Sequence, residues 1–255
     1  MQWQDEAVIL GGAPFGERDA VLDVLSATHG RWRGFVKAGQ SRRVRGTLQP
    51  GNRIAVRWSA RLADQLGRFQ VESLHSPLGT VLGRPDSLAA LTAATAVVAT
   101  SLPERTPEPG THGALLAFLN LLERDRTPLE VLAAGLVRLE MGILTDLGYG
   151  LDLTGCAGGG PATDLAYVSP RTGRAVSAIR GGPHADKLLP LPGFMLAGGQ
   201  GLPGPVAARD GLAVTGYFLS RHVWVARPEG MPAARARLIT RLESRLVEAR
   251  AASDR

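Results

Sequence analysis

Carboxylates are missing from one long stretch of this 255-residue chain: from Val24 to Ala63 there is no Asp and no Glu. The same stretch holds nine cations, namely Arg31, Arg33, Lys37, Arg42, Arg43, Arg45, Arg53, Arg57 and Arg61. The net charge of the chain is +6, so everything outside the block carries a net −3. An ordinary solvated face mixes signs. A local field of one sign is what a polyanion requires, and the block points to a nucleic-acid surface.

Cysteine is nearly absent as well. Cys156 stands alone, which excludes an internal disulfide framework and fits a reducing compartment. Long apolar runs are lacking too: the uncharged, apolar-biased stretch Ser87–Pro103 falls short of the ~20 residues that span a bilayer. The opening residues Met1-Gln2-Trp3-Gln4-Asp5-Glu6 show no basic or apolar leader, so the chain is expected to be cytoplasmic, without a membrane role. Catalytic signatures are missing in turn. There is no Walker A lysine, no G-x-S-x-G and no H-E-x-x-H. Gly199–Gly204 spells G-x-G-x-x-G, but it follows no convincing strand and places Pro203 where amides must face phosphate. The five histidines are scattered, so a hydrolase or transferase would need a site assembled only in space. Neither catalysis nor a cofactor is expected.

An apolar content of 44% supports packed cores. Five short strands are predicted in the first eighty residues: Ala7–Leu10, ending at a Gly11-Gly12 turn, then 19–27, 31–37, 52–59 and 68–74. They suggest a small antiparallel barrel or sandwich. Alternation in the third strand puts Arg31, Arg33, Phe35 and Lys37 on one face and Trp32 and Val36 on the other. In the fourth, Arg53, Ala55 and Arg57 oppose Ile54, Val56 and Trp58. The tryptophans are therefore expected in the core, and Phe35 is the aromatic on the basic face. Between these strands, residues 38–50 carry Ser41-Arg42-Arg43-Val44-Arg45 without apolar periodicity and read as a mobile loop.

Helical periodicity begins after Pro85. Helices are expected over 86–102, 112–124 and from a capping box at Thr127-Pro128-Leu129-Glu130 to Gly148, with Leu129, Leu132, Leu136, Leu139, Ile143 and Leu147 as an apolar stripe. Residues 151–204 are loop-dominated, with a short hairpin at 165–177. Helices return over 205–225 and 232–252. In the last, Leu238, Leu242, Leu246 and Ala249 share one side, beside a stripe of Arg237, Arg241 and Arg245.

Three features together resemble the bacterial recombination mediator family RecO. They are Gly16-Glu17-Arg18-Asp19 with His29-Gly30-Arg31 and the 39–48 loop, then Arg138-Leu139-Glu140 through Leu147-Gly148-Tyr149, then Leu153-Thr154-Gly155-Cys156 followed by Tyr167-Val168-Ser169-Pro170. The resemblance covers nearly the whole chain. It implies an α+β multidomain protein: a five-stranded OB-fold barrel over 1–80, a helical domain over 81–150, a loop-rich insert over 151–204 and closing helices over 205–255. It also implies a non-catalytic mediator that binds single- and double-stranded DNA, anneals complementary strands and cooperates with RecR and single-strand binding protein to load RecA, in the cytoplasm and at the nucleoid. Many relatives carry two Cys-x-x-Cys pairs. Here Gly159 stands where the partner of Cys156 would be, no second pair follows, and no zinc is expected, with Cys156 a buried remnant. The acidic, apolar tail of single-strand binding protein needs an apolar pocket rimmed by cations, for which Arg221, Arg227, Arg237, Arg241 and Arg245 are the candidates. The residues alone leave the polymer open, since an RNA-binding OB-fold protein of translation or ribosome assembly would look the same.

Overall fold

Period-two alternation builds a closed barrel from the first five strands of the computed structural model, which describes residues 1–62, 64–199 and 201–253. Ala63, the last residue of the carboxylate-free block, and Gln200 lie outside the described residues. The strands are β1 (Gln2–Phe15), β2 (Asp19–Ser26), β3 (Gly30–Val36), β4 (Arg53–Ser59) and β5 (Arg68–His75). Their order is β1-β2-β3-β5-β4, and β4 returns to β1, which is the topology of an OB-fold. Ile9, Leu22, Val24, Ile54, Val56, Trp58 and Phe69 fill the interior, and Trp32 packs against them. Both tryptophans thus belong to the core, as the alternation predicts.

The chain departs from the predicted elements at two places. The first strand does not stop at Gly11-Gly12 but runs on to Phe15, because a bulge between Ile9 and Gly11 absorbs the irregularity. A side chain at Gly12 would meet the Val21 carbonyl at 3.2 Å, so glycine permits this close pairing. The second place is residues 38–50, which are pinned rather than loose. Gln40 donates its amide to the carbonyls of Gly16 and Asp19, Asn52 donates to those of Gly46 and Thr47, and Leu48 is buried. Between these anchors lies one helical turn, α1 (Arg42–Arg45). Side-chain hydrogen bonds hold the segment, and they leave no periodic trace in sequence.

The strands belong to one compact unit, Met1–Glu123, with α2 (Leu78–Val81), α3 (Pro85–Ser101) and α4 (Pro109–Glu123). By alternation Val8 and Leu10 point out of the barrel, yet both are buried, since α3 packs against β1.

The second unit, Arg124–Arg255, contains α5 (Leu129–Asp146), β6 (Leu165–Val168), β7 (Ala175–Ser177), α6 (Ala178–Gly181), β8 (Leu189–Pro190), α7 (Pro205–His222) and α8 (Ala233–Ser253). The predicted hairpin is β6–β7, extended by β8 to a three-stranded sheet. The predicted stripe on α5 is buried from Leu129 to Ile143, and Leu147 is half-buried. Pro128 occupies the N-cap of α5, and the Thr127 hydroxyl donates to the Arg124 carbonyl. On α8, Leu238 and Leu242 are buried, whereas the side chain of Ala249 lies outside the described residues. No helix among the described residues is long and apolar enough to cross a membrane.

A buried ion pair ties the helices of this unit together. Glu140 of α5 is fully buried and takes two hydrogen bonds from Arg235 of α8, at 2.7 and 3.0 Å. The same guanidinium donates to the Leu212 carbonyl of α7 at 2.7 Å, and the Thr215 hydroxyl of α7 donates to Glu140. Gly216 makes room: a Cβ there would stand 2.9 Å from the guanidinium. Charges so deep are tolerated only when paired and fully hydrogen-bonded. Glu140→Ala is therefore expected to lower unfolding stability by about 3–5 kcal/mol, measured by urea denaturation. A loss below about 1 kcal/mol would show that the pair does not hold the helices.

Candidate nucleic-acid interface

The barrel order decides which predicted cations can share a surface. β5 lies between β3 and β4, so the outward rows of those strands do not adjoin. Folding also returns carboxylates to the block that lacked them. Arg31 grips Asp23 of β2 through Nε and Nη2, as close as 2.6 Å, and donates to the Leu102 carbonyl. Residue Glu104 runs beside β3 and lies 3.5 Å from Arg33. Arg53 pairs with Glu6 of β1 at 3.2 Å, and Arg57 meets the side-chain amide of Gln4. A shallow groove of about 680 Å³ over this sector is lined by Gln4, Glu6, Arg57, Gln70 and Glu72. Its mixed signs do not favour a polyanion.

The other predicted cations are placed differently. Lys37, Arg42, Arg43, Arg45 and Arg61 are all exposed and form no ion pair among the described residues. Phe35 is half-buried and packs edge-to-face on Phe15, which is 54% exposed, with ring centroids 5.7 Å apart. Arg68 opposes Phe35 across the β3–β5 pairing and neighbours Ser59 of β4. Arg18, in the β1–β2 turn, gives its carbonyl to the Gln40 amide just ahead of α1. The structure thus adds Phe15, Arg18 and Arg68 to the candidates. Each lies outside the carboxylate-free block, although the β1–β2 turn and the end of the β4–β5 loop are usual OB-fold contact regions.

In the second unit a groove of about 730 Å³ runs between α7 and α8, lined by Leu212, Gly216, Tyr217, Met231 and Ile239, with Arg209 and Arg221 among its cations. Of the five predicted partner-binding arginines, only Arg221 lines it. Arg235, Ile239 and Glu243 form the α8 wall at four-residue steps, and Met231, just ahead of the helix, continues the row. Arg237, Arg241 and Arg245 lie two residues off that row, about 200° around the helix, and are exposed elsewhere. Arg227 sits beside Glu229 at 3.7 Å.

Cys156 is only partly buried, contrary to the expectation of a buried remnant, because the neighbouring glycines carry no side chains to cover it. The Ser177 hydroxyl lies 3.4 Å from its sulfur, and the Ser177 amide donates to it at 3.2 Å. Gly160 allows this approach, since a Cβ there would fall 2.2 Å from the Ser177 hydroxyl. Hydrogen bonding from Ser177 holds the thiol down to about 7. Among the described residues no three His, Cys, Asp or Glu side chains gather, so these residues do not fit a four-ligand zinc site. The G-x-G-x-x-G stretch likewise has a local explanation: Gly199 packs where a Cβ would meet the Gly193 carbonyl at 2.2 Å.

Comparison with known proteins covers most of this architecture. The family profile "Recombination protein O N terminal" matches residues 1–77, and "Recombination protein O C terminal" matches residues 82–228. The DNA repair protein RecO of Rhodospirillum rubrum is 44% identical over 244 residues, 95% of this chain and 96% of the relative. The protein of that name from Methylobacterium nodulans is 45% identical over 239 residues, 92% and 95% of the two chains. That of a Chelativorans species is 41% identical over 252 residues, 99% and 100%.

The Ser177 contacts make the thiol of Cys156 unusually acidic for a free cysteine. Its alkylation by iodoacetamide is expected to rise with pH around a midpoint of about 7. Ser177→Ala should move that midpoint toward the free-thiol value of about 8.5. A wild-type midpoint already at about 8.5 would remove the assignment.

Proposed function

This chain belongs to the recombination protein O family, a family of DNA repair and recombination, and from that premise we propose a non-catalytic mediator that anneals complementary DNA strands. The observation that carries the reading is the set of exposed cations without ion pairs at Lys37, Arg42, Arg43, Arg45 and Arg61, joined by Arg18 and Arg68. These hold phosphates. Phe35 with Phe15 offers an aromatic surface beside them on which a base can stack. Arg33, Arg53 and Arg57 contribute less, since each already faces a carboxylate or an amide, and Arg31 serves the fold. Annealing then needs neither nucleotide nor metal. Cations lower the repulsion between two strands without reading their sequence.

The α7–α8 groove is the proposed seat for the acidic, apolar tail of single-strand binding protein, with Arg209 and Arg221 facing its carboxylates. Docked there, the protein works on coated single strands and, with RecR, hands them to RecA.

Annealing of complementary oligonucleotides coated with single-strand binding protein tests the reading. A variant carrying Arg42→Glu, Arg43→Glu and Arg45→Glu should bind single-stranded DNA at least about tenfold more weakly. Its log–log salt slope should be shallower by about 2, near 0.7 for each lost phosphate contact. Phe35→Ala should cost about 1–3 kcal/mol of binding if a base stacks there. The assignment fails if the triple variant anneals as fast as wild type. Tighter binding to RNA than to DNA of equal sequence, at one salt concentration, would favour an RNA-binding role instead.

A further inference from the structure

A second apolar groove, of about 710 Å³, lies in the first unit beside the arginine turn. One wall is α1 and the turn after it. The other is Leu78 and Leu82 at the ends of α2, with Leu88 and Leu91 from α3. Leu82 is 64% exposed and Leu88 37%, although both line a concavity. Single exposed leucines are ordinary, but leucines gathered around a groove of ligand-binding size are not. Among the described residues, the only charged side chains lining it are Arg42 and Arg45, both exposed and without an ion pair.

We propose that this groove docks an amphipathic, acidic helix of a partner protein, its apolar face on the leucines and its carboxylates on Arg42 and Arg45. Several features favour that occupant. Leu78 and Leu82 are four residues apart and Leu88 and Leu91 three, so the wall presents ridges at the spacing a helix needs for helix-in-groove packing. Both flanking charges are positive and no carboxylate among the described residues lines the groove, so acidic flanks complement it. A nucleobase fits less well. No aromatic ring among the described residues lines the groove, and a base edge set against leucines would lose its hydrogen bonds to water.

The proposal goes beyond the annealing role and adds a consequence to it. Arg42 and Arg45 are shared with the phosphate track, so a docked acidic helix and bound nucleic acid compete.

The probe is a synthetic peptide of about 18 residues, with leucines at i, i+3, i+4 and i+7 and glutamates on the flanks. Its control is a scramble of the same composition, and binding to the full-length protein is read by fluorescence anisotropy. The expected result is saturable binding of the amphipathic peptide alone. Leu82→Asp and Leu88→Asp should each weaken it by about tenfold, while oligonucleotide affinity stays within about twofold of wild type. Both leucines are at least 37% exposed, so the variants keep their core, which a thermal melt verifies. Arg42→Ala with Arg45→Ala should weaken both ligands, and single-stranded DNA should displace the peptide. Equal binding of the scramble, or no effect of the leucine variants, overturns the proposal. Loss of oligonucleotide rather than peptide binding on Leu82→Asp assigns the groove to nucleic acid and overturns it too. Self-association abolished by Leu82→Asp, without peptide binding, assigns the groove to a second copy and likewise overturns the proposal. Because Leu82 and Leu88 have no part in the phosphate track, failure here leaves the annealing proposal standing. A wild type that binds peptide but not DNA would sink only the latter.

Discussion

Closure of the barrel by β1 is the constraint on which the first unit depends. One strand of 14 residues pairs with β4 through residues 2–8 and with β2 through residues 7–15, and the bulge after Ile9 lets it serve both. Once β1 joins β4, the only place left for β5 is between β3 and β4. Every surface of the barrel follows from that order. It splits cations that sequence presents as a single block, and it brings Arg68 opposite Phe35 from a position well outside that block.

The same closure explains why charge read along the chain misleads about charge in space. Alternation within a strand is a local property, so the inward set of Trp32, Val36, Ile54, Val56 and Trp58 is legible from spacing alone. Which strands adjoin is not local, and neither is the return of Asp23, Glu6 and Glu104 to the faces of Arg31, Arg33 and Arg53. Arg31 shows the cost of ignoring this. Its side chain is only 17% exposed and is held by a carboxylate and a carbonyl. The arginine turn misleads for a related reason. A polar segment without periodicity looks mobile, yet the Gln40 amide fastens it to the distant backbone of Gly16 and Asp19, and the Asn52 amide holds its Gly46 and Thr47 carbonyls. Those contacts span up to 24 residues and leave no pattern to find.

In the helical unit the legible and illegible parts divide in the same way. The apolar stripe of α5 announces its buried face, because Leu and Ile at three- and four-residue steps are a local signal. Within that stripe Glu140 looks like an ordinary polar residue. Its partner Arg235 lies 95 residues away, and only folding brings the two together. That pairing fixes the rotation of α8 and so decides which of its arginines reach the groove. With Arg235 turned inward, residues four and eight positions later line the α7–α8 groove, and the row two residues on turns away. The arginine stripe is visible in the spacing as a stripe. Its direction is set by a buried contact that the stripe does not include.

The two apolar grooves differ in a way that bears on what each can hold. The α7–α8 groove has Glu243 on its lining as well as Arg209 and Arg221, and Arg209 already meets Asp210 at 2.6 Å. Its cations are partly satisfied, so an acidic ligand gains there mainly through apolar contact and through the carboxylates it can place near Arg221. The groove beside α1 has no such internal competitor among the described residues, and its two arginines belong also to the proposed phosphate track. Two anionic ligands that use the same cations must oppose each other, and linkage makes the opposition reciprocal. Whatever acidic helix docks on the leucines lowers the affinity for DNA by the same factor by which DNA lowers the affinity for it. Under the proposed annealing role, in which strands are gripped and then released as a duplex, that arrangement would supply a release step with no chemistry beyond shared arginines.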